Sequence, residues 1–253
     1  MKLKSLFAGF LVGILFLSSR ADEGMWLPML IGKNYEQMKK QGFRLTADDL
    51  YNINQASLKD AIVWFNGGCT GEIVSKQGMI FTNHHCGYDA IAANSTPADN
   101  ILDNGWWAPT MAAEKPIKDM WVSILVRMED VTGRVQEGLA GVPEKDRNKK
   151  LMEINKKIVE EVTKGTGYDA RVSEYYRGNA YYLLIFEKFN DVRLVGTPPQ
   201  SIGKFGGDTD NWVWPRHTGD FSVFRVYANK ENKPAAFSND NVPFVPKRHL
   251  PVS

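Results

Sequence analysis

Only two cysteines, Cys69 and Cys86, occur in the 253 residues, so at most one disulfide can brace this chain. An excess of one charge is also missing, since 31 Lys and Arg stand against 29 Asp and Glu. Both signs are scattered, with no basic stripe interleaved with aromatics, which argues against a nucleic-acid partner. After Leu17 no run is apolar enough to cross a bilayer, which takes about 20 residues. There is no H-E-x-x-H and no G-x-x-x-x-G-K-[ST], so neither zinc-peptidase nor phosphate-loop chemistry is indicated. Internal repeats and low-complexity tracts are absent too. The length suits one good core or two small ones.

The opening M-K-L-K-S-L-F-A-G-F-L-V-G-I-L-F-L-S-S-R-A reads as an export signal. Lys2 and Lys4 give the positive start, Leu6 to Leu17 the apolar run, and Ser19 and Ala21 the small residues before a cut. Residues 1–21 are therefore expected to be removed, with no stable membrane insertion afterwards. Losing Lys2, Lys4 and Arg20 leaves the mature chain near neutral. In an exported protein the pair Cys69 and Cys86 is expected to be oxidised, a closure that stabilises by about 3 kcal/mol.

Short β-branched and aromatic runs predict strands at 61–65, 69–75, 79–83, 121–128, 170–175, 181–186, 191–195 and 221–227. Gly67-Gly68, Lys76-Gln-Gly, Gly178-Asn179 and Asn190-Asp191 read as turns between them, and Phe205 to Trp212 as a loop. One segment differs in period. Leu151, Ile154, Ile158 and Val162 recur at three and four residues among Lys, Glu and Asn, which predicts an amphipathic helix over about 143–164. Helices between most strands, needed for a doubly wound sheet, are not evident. The expected fold is mainly β with inserted helices, a barrel or a sandwich.

The chemistry centres on histidine. His84 and His85 directly precede Cys86 at the end of the strand 79–83, which suits an anchored general base. Such a base needs a carboxylate to fix its tautomer. Asp220, opening the clearest alternating strand, is the best candidate; Asp89, Asp208 and Asp210 stay open. A nucleophile is harder to find. Ser222 lies too near Asp220 along one strand, and Ser95 and Ser123 lack a glycine-rich turn to build an oxyanion hole. A metal at His84-His85-Cys86 is disfavoured because adjacent residues of a strand face opposite ways, so no metal and no cofactor are expected. Asn211-Trp-Val-Trp-Pro-Arg-His-Thr-Gly-Asp mixes large aromatics with an amide and a guanidinium, and fits either a pocket wall or core.

The stretch G-G-C-T-G-E-I-V-S-K-Q-G-M-I-F-T-N-H-H-C-G-Y-D at 67–89 resembles the histidine region of the dipeptidyl-peptidase 7/11 family (S46-type). D-E-G-M-W at 22–26 and G-K-F-G-G-D-T-D-N-W-V-W-P-R-H-T-G-D-F-S at 203–222 resemble it as well. These are exported serine exopeptidases of the chymotrypsin clan. The resemblance implies that His85 is the catalytic base, that Asp220 is the triad aspartate, and that Cys69 pairs with Cys86. It further implies that Asn211, Trp212 and Arg216 hold the substrate's free N-terminus or shape that end of the cleft. The implied fold is a chymotrypsin-like β-barrel, one of two in the family, with residues 22–253 forming the N-terminal part of the peptidase domain. On this reading the second barrel, most of a helical cap and the serine in a Gly-Asn-Ser-Gly-Ser-Pro setting lie beyond Ser253.

The expected activity is release of dipeptides from the free N-terminus of oligopeptides, in the periplasm or at the surface of a Gram-negative cell. The fragment itself, without its serine, is expected to be inactive. The resemblance leaves a homodimer of the full-length protein open. The rival readings are a catalytically silent exported domain that binds peptide ends, a metal-dependent hydrolase, and a trypsin-like endopeptidase.

Overall fold

Turn and cap chemistry sets the first elements of the computed structural model, which describes residues 26–210 and 213–247. The expected signal peptide at 1–21 lies outside the described residues, as do Asn211 and Trp212. Helix α1 (Tyr35–Lys40) is followed by α2 (Ala47–Leu50). Thr46 begins α2 through a capping box: its Oγ1 accepts from the Asp49 N–H at 3.1 Å, and the Asp49 carboxylate accepts from the Thr46 N–H at 3.0 Å.

Three short strands come next: β1 (Ile62–Phe65), β2 (Cys69–Ile73) and β3 (Met79–Thr82). Helix α3 (His84–Ala93) starts after Asn83 alone, and α4 (Ile101–Asn104), β4 (Trp106–Trp107) and β5 (Lys115–Pro116) lead into the long β6 (Val122–Asp130). Helices α5 (Thr132–Leu139) and α6 (Glu144–Thr163) separate β6 from β7 (Asp169–Tyr175), β8 (Ala180–Phe189) and β9 (Asp191–Thr197). Short helices α7 (Gln200–Gly203) and α8 (Gly207–Asp210) precede β10 (Ser222–Ala228) and β11 (Val242–Pro243).

All eleven strands belong to one antiparallel sheet in the order β4-β9-β10-β3-β2-β1-β6-β8-β7, with β11 on β10 and β5 on β9. This corrects the expected chymotrypsin-like β-barrel and the mainly-β class. Among the described residues the sheet is open, its ends β4 and β7 sharing no ladder, and eight α-helices make the fold mixed α/β. The physical reason lies in the wing formed by β6, β8 and β7. There β8 pairs with β6 as far as Tyr182↔Asp130 and with β7 along its whole length. Val135 and Leu139 of α5 and Ile158 of α6 bury against Tyr181, Leu183 and Ile185 of β8. Helices therefore cover one apolar face of the wing that another strand layer would otherwise have to bury, while Leu27 and Met29 pack against Tyr182, Leu184 and Phe186 on the other.

The predicted amphipathic helix is α6, and Ile154 packs so closely that a Cβ on Gly138 of α5 would meet its Cδ1 at 2.6 Å. Other departures are local. The predicted loop after Phe205 holds α8, and His84 to Ala93 is helical. Asn190 is no hairpin turn: β8 pairs with β6 and β7 while β9 pairs with β10, so the chain runs on from one ladder into the next.

The main core lies where β1, β3, β9 and β10 meet under α3. Phe65, Ile80, Ile91, Leu194 and Phe224 are fully buried there, with the Phe65 and Phe224 rings 5.0 Å apart. Each such side chain contributes about 1.5–3 kcal/mol. At the side of this core Glu114 accepts from Arg225 Nε at 2.9 Å and from the Tyr227 hydroxyl at 2.8 Å, while Arg193 stacks on the Tyr227 ring at 3.7 Å. Burial first, then the hydrogen bond to the Glu114 carboxylate, pushes the Tyr227 phenol far above its usual value.

Candidate active site

His84, Gly87 and Ile91 are the buried residues of α3. Their spacing of three and four residues marks one helix face, and it leaves His85 on the outer side of the first turn. Cys86, next in line, is bonded to Cys69 at the start of β2, with Cα atoms 6.1 Å apart. Gly87 touches β10 so closely that a Cβ there would stand 2.8 Å from Ser222 Oγ and 3.0 Å from the Phe224 ring. The run His84-His85-Cys86-Gly87 thus fastens α3 to two strands. The histidines begin a helix where the end of a strand was expected, because Asn83 is extended (φ −70°, ψ 152°) and the good helix formers Ala90 to Ala93 follow.

Asp220 meets this helix from the opposite side of the chain. Its Oδ2 lies 2.8 Å from His85 Nδ1, and its Oδ1 accepts from the His85 backbone N–H at 3.1 Å. The amide of Asn83 donates to Asp220 Oδ2 at 3.2 Å and to the Asp220 carbonyl at 3.1 Å. The side chain of Asn83 itself caps nothing. Asp220 supplies the cap, and a carboxylate there also gains from the positive end of the helix.

The carboxylate is largely shielded, its side chain 12% exposed, whereas the His85 side chain is 68% exposed. A neutral His85 that donates Nδ1–H to Asp220 presents a lone pair at Nε2, the form a proton acceptor needs. His84 differs in kind. Its ring is buried against Gly203 of α7, where a Cβ would come within 2.4 Å, and its Nε2 has no partner. Burial holds this imidazole below the ordinary histidine value, the adjacent His85 pushes the same way, and the Asp220 charge opposes both.

The chain arrives at Asp220 along an anchored path. Thr218 Oγ1 donates to the carbonyls of Ile202 and Gly203 at 3.2 and 3.3 Å, and the Gly219 N–H donates to Ile202 at 3.0 Å. Ser222 Oγ, fully buried, donates to the Asn83 carbonyl at 2.8 Å. Among the described residues no serine hydroxyl is hydrogen-bonded to His85. Arg216 is exposed in the loop before Asp220 and forms no ion pair with a described carboxylate, and Trp214 is exposed rather than core. Asp89 points outward on α3. Cys69, His85 and Cys86 place ligand-type atoms within 4.8 Å of one another, but both sulfurs are spent in the disulfide and offer no thiolate.

The peptidase S46 family model matches residues 21–253. The chain belongs to the peptidase S46 family. This S46 chain is 49% identical over 246 residues to an Asp/Glu-specific dipeptidyl-peptidase of Flavobacterium psychrophilum, covering 96% of itself and 34% of that protein. It is 50% identical over 236 residues to dipeptidyl-peptidase 7 of Capnocytophaga gingivalis, covering 92% and 33%. Its fold matches the crystal structure of Porphyromonas endodontalis DPP11 in complex with the dipeptide Arg-Glu, with a TM-score of 0.84 at 45% identity over 92% of this chain and 34% of that one. The S46 chain therefore corresponds to an N-terminal portion about a third as long as these relatives.

Asn83, Gly87 and Gly203 carry no charge and do not stand out as functional in the sequence, and Ser222, set aside there as a nucleophile, instead holds the Asn83 carbonyl. A usable signal was present in the helical spacing of His84, Gly87 and Ile91, with glycine at the middle position.

Proposed function

We propose that this chain is the base-bearing portion of an exported serine-type dipeptidyl-peptidase that releases dipeptides from the free N-termini of oligopeptides. The carrying observation is the 2.8 Å contact from His85 Nδ1 to Asp220 Oδ2 beneath an exposed ring. His85 Nε2 takes the proton of a serine hydroxyl as that oxygen attacks the carbonyl of the second residue, and then returns it to the leaving amine. Asp220 holds the tautomer and steadies the imidazolium. The serine comes from outside these 253 residues, and the dipeptidyl-peptidase names of the relatives support the reaction class.

By the same proposal, Asn211, Trp212 and Arg216 hold the substrate's free N-terminus or shape that end of the cleft. Asn211 accepts from the ammonium group, and Arg216, unable to contact a cation favourably, organises neighbouring carbonyls or carboxylates. The leader at 1–21 directs export to the periplasm or the cell surface. Among the described residues no helix is long and apolar enough to cross a membrane.

The test is hydrolysis by the full-length protein of oligopeptides with free and with blocked N-termini, before and after His85→Ala. Dipeptide release from free termini alone, abolished by the substitution, is expected. Equal cleavage of blocked peptides, or unchanged turnover in His85→Ala, overturns the proposal.

A further inference from the structure

We propose that Asn83 is a positioning residue for the His85–Asp220 pair, acting by locking the Asp220 carboxylate against its own backbone. The inference rests on the reading of that pair as base and orienter, and it adds a residue which that reading does not use.

An amide NH2 has two hydrogens. Asn83 spends both on one partner, one on the Asp220 carbonyl and one on Oδ2. Two anchors on the backbone and side chain of the same residue fix the side-chain torsion between them. Oδ2 is then left facing His85 Nδ1, and Oδ1 facing the His85 N–H. Asn83 is itself held, since its carbonyl accepts from the buried Ser222 Oγ two residues past Asp220. The result is a closed ring of contacts, Ser222 to Asn83 to Asp220 and back through Phe221. A structural role at the helix start does not account for this amide, which caps nothing. Residue 83 is also exposed, so its side chain contributes little to the core.

Without this amide the carboxylate keeps its contacts to His85 but loses the restraint on its torsion, and its grip on Nδ1–H weakens. The readout is therefore the tautomer of neutral His85, measured from 15N shifts of the chain carrying 15N-labelled histidine. Circular dichroism and an intact Cys69–Cys86 bond verify folding. The unsubstituted chain is expected to favour the Nδ1–H form at His85. Asn83→Leu, similar in size and without donors, is expected to lower the Nδ1–H to Nε2–H ratio about threefold, the scale of one lost hydrogen bond. Asn83→Gln, which returns the NH2 on a longer arm, is expected to recover part of it. An unchanged ratio in folded Asn83→Leu overturns the role of Asn83 while leaving the pair intact. A free-histidine mixture in the unsubstituted chain overturns the pair itself, and with it the proposed function.

Discussion

Asp220 grips His85 at two points, taking the backbone N–H on one carboxylate oxygen at 3.1 Å and the ring Nδ1 on the other at 2.8 Å. One side chain therefore caps helix α3 and aims its imidazole. Asp220→Asn separates the two tasks. The amide oxygen can still cap, so the stability loss is expected near 1 kcal/mol, the worth of the missing charge at a helix start. An amide that donates to the ring enforces the wrong tautomer, and turnover of the full-length protein is expected to fall about 10⁴-fold. Urea denaturation and steady-state kinetics measure the two losses separately.

Gly87 sets the distance between α3 and β10. Gly87→Ala places a methyl 2.8 Å from Ser222 Oγ and 3.0 Å from the Phe224 ring. Both neighbours are buried, so the helix must move. A loss of about 1–3 kcal/mol is expected from the overpacking, with activity falling further as His85 leaves Asp220. Thermal melting of the variant measures the first, and kcat/KM of the full-length variant the second.

His84 is expected to confer acid sensitivity. Its folded value lies below the ordinary 6.5 because the ring is buried, so the unfolded chain binds the proton more readily. The stabilising contribution is complete above about pH 6.5 and is lost as pH falls through the depressed folded value. His84→Phe keeps a ring against Gly203 and does not titrate. The melting temperature of this variant is expected to decline less than that of the parent between pH 6.5 and pH 5, which differential scanning at several pH values checks.

Glu114 neutralises Arg225 inside the protein, where their side chains are 2% and 5% exposed. Glu114→Ala leaves a buried guanidinium without its counter-charge and is expected to cost about 3–5 kcal/mol. Glu114→Gln, which can still accept from Arg225 and Tyr227, is expected to cost less. Equilibrium urea unfolding ranks the two.

Most strands were legible because β-branched and aromatic runs between glycine turns report local backbone preference, and the 144–163 helix because its apolar stripe is regular. The architecture was not, since whether a sheet closes depends on which strands pair and what covers the outermost ones. Nothing local in β8 announces that α5 and α6 will bury its Leu183 and Ile185. Helix α3 was hidden for a different reason: its buried face is His84, Gly87 and Ile91, a pattern that hydrophobicity alone does not register. At the site, chemistry pointed to the His84-His85 pair and to Asp220 among four aspartates, and only the family resemblance singled out His85; the fold brings His85 and Asp220 together across 135 residues. The neutral groups around them leave no such mark: the Asn83 amide donates to the Asp220 carboxylate and carbonyl, and the Ser222 hydroxyl donates to the Asn83 carbonyl.

Asn190 is the only residue between β8 and β9. One continuous length of backbone therefore serves two of the hydrophobic clusters, the helix-covered side of the wing and the core beside Asp220. Strain applied to the wing reaches the β9–β10 ladder with no slack to absorb it, so the two regions are expected to melt together. A cut or a flexible insertion at Asn190 is expected to uncouple them, so that the wing melts before the β9–β10 ladder beside Asp220.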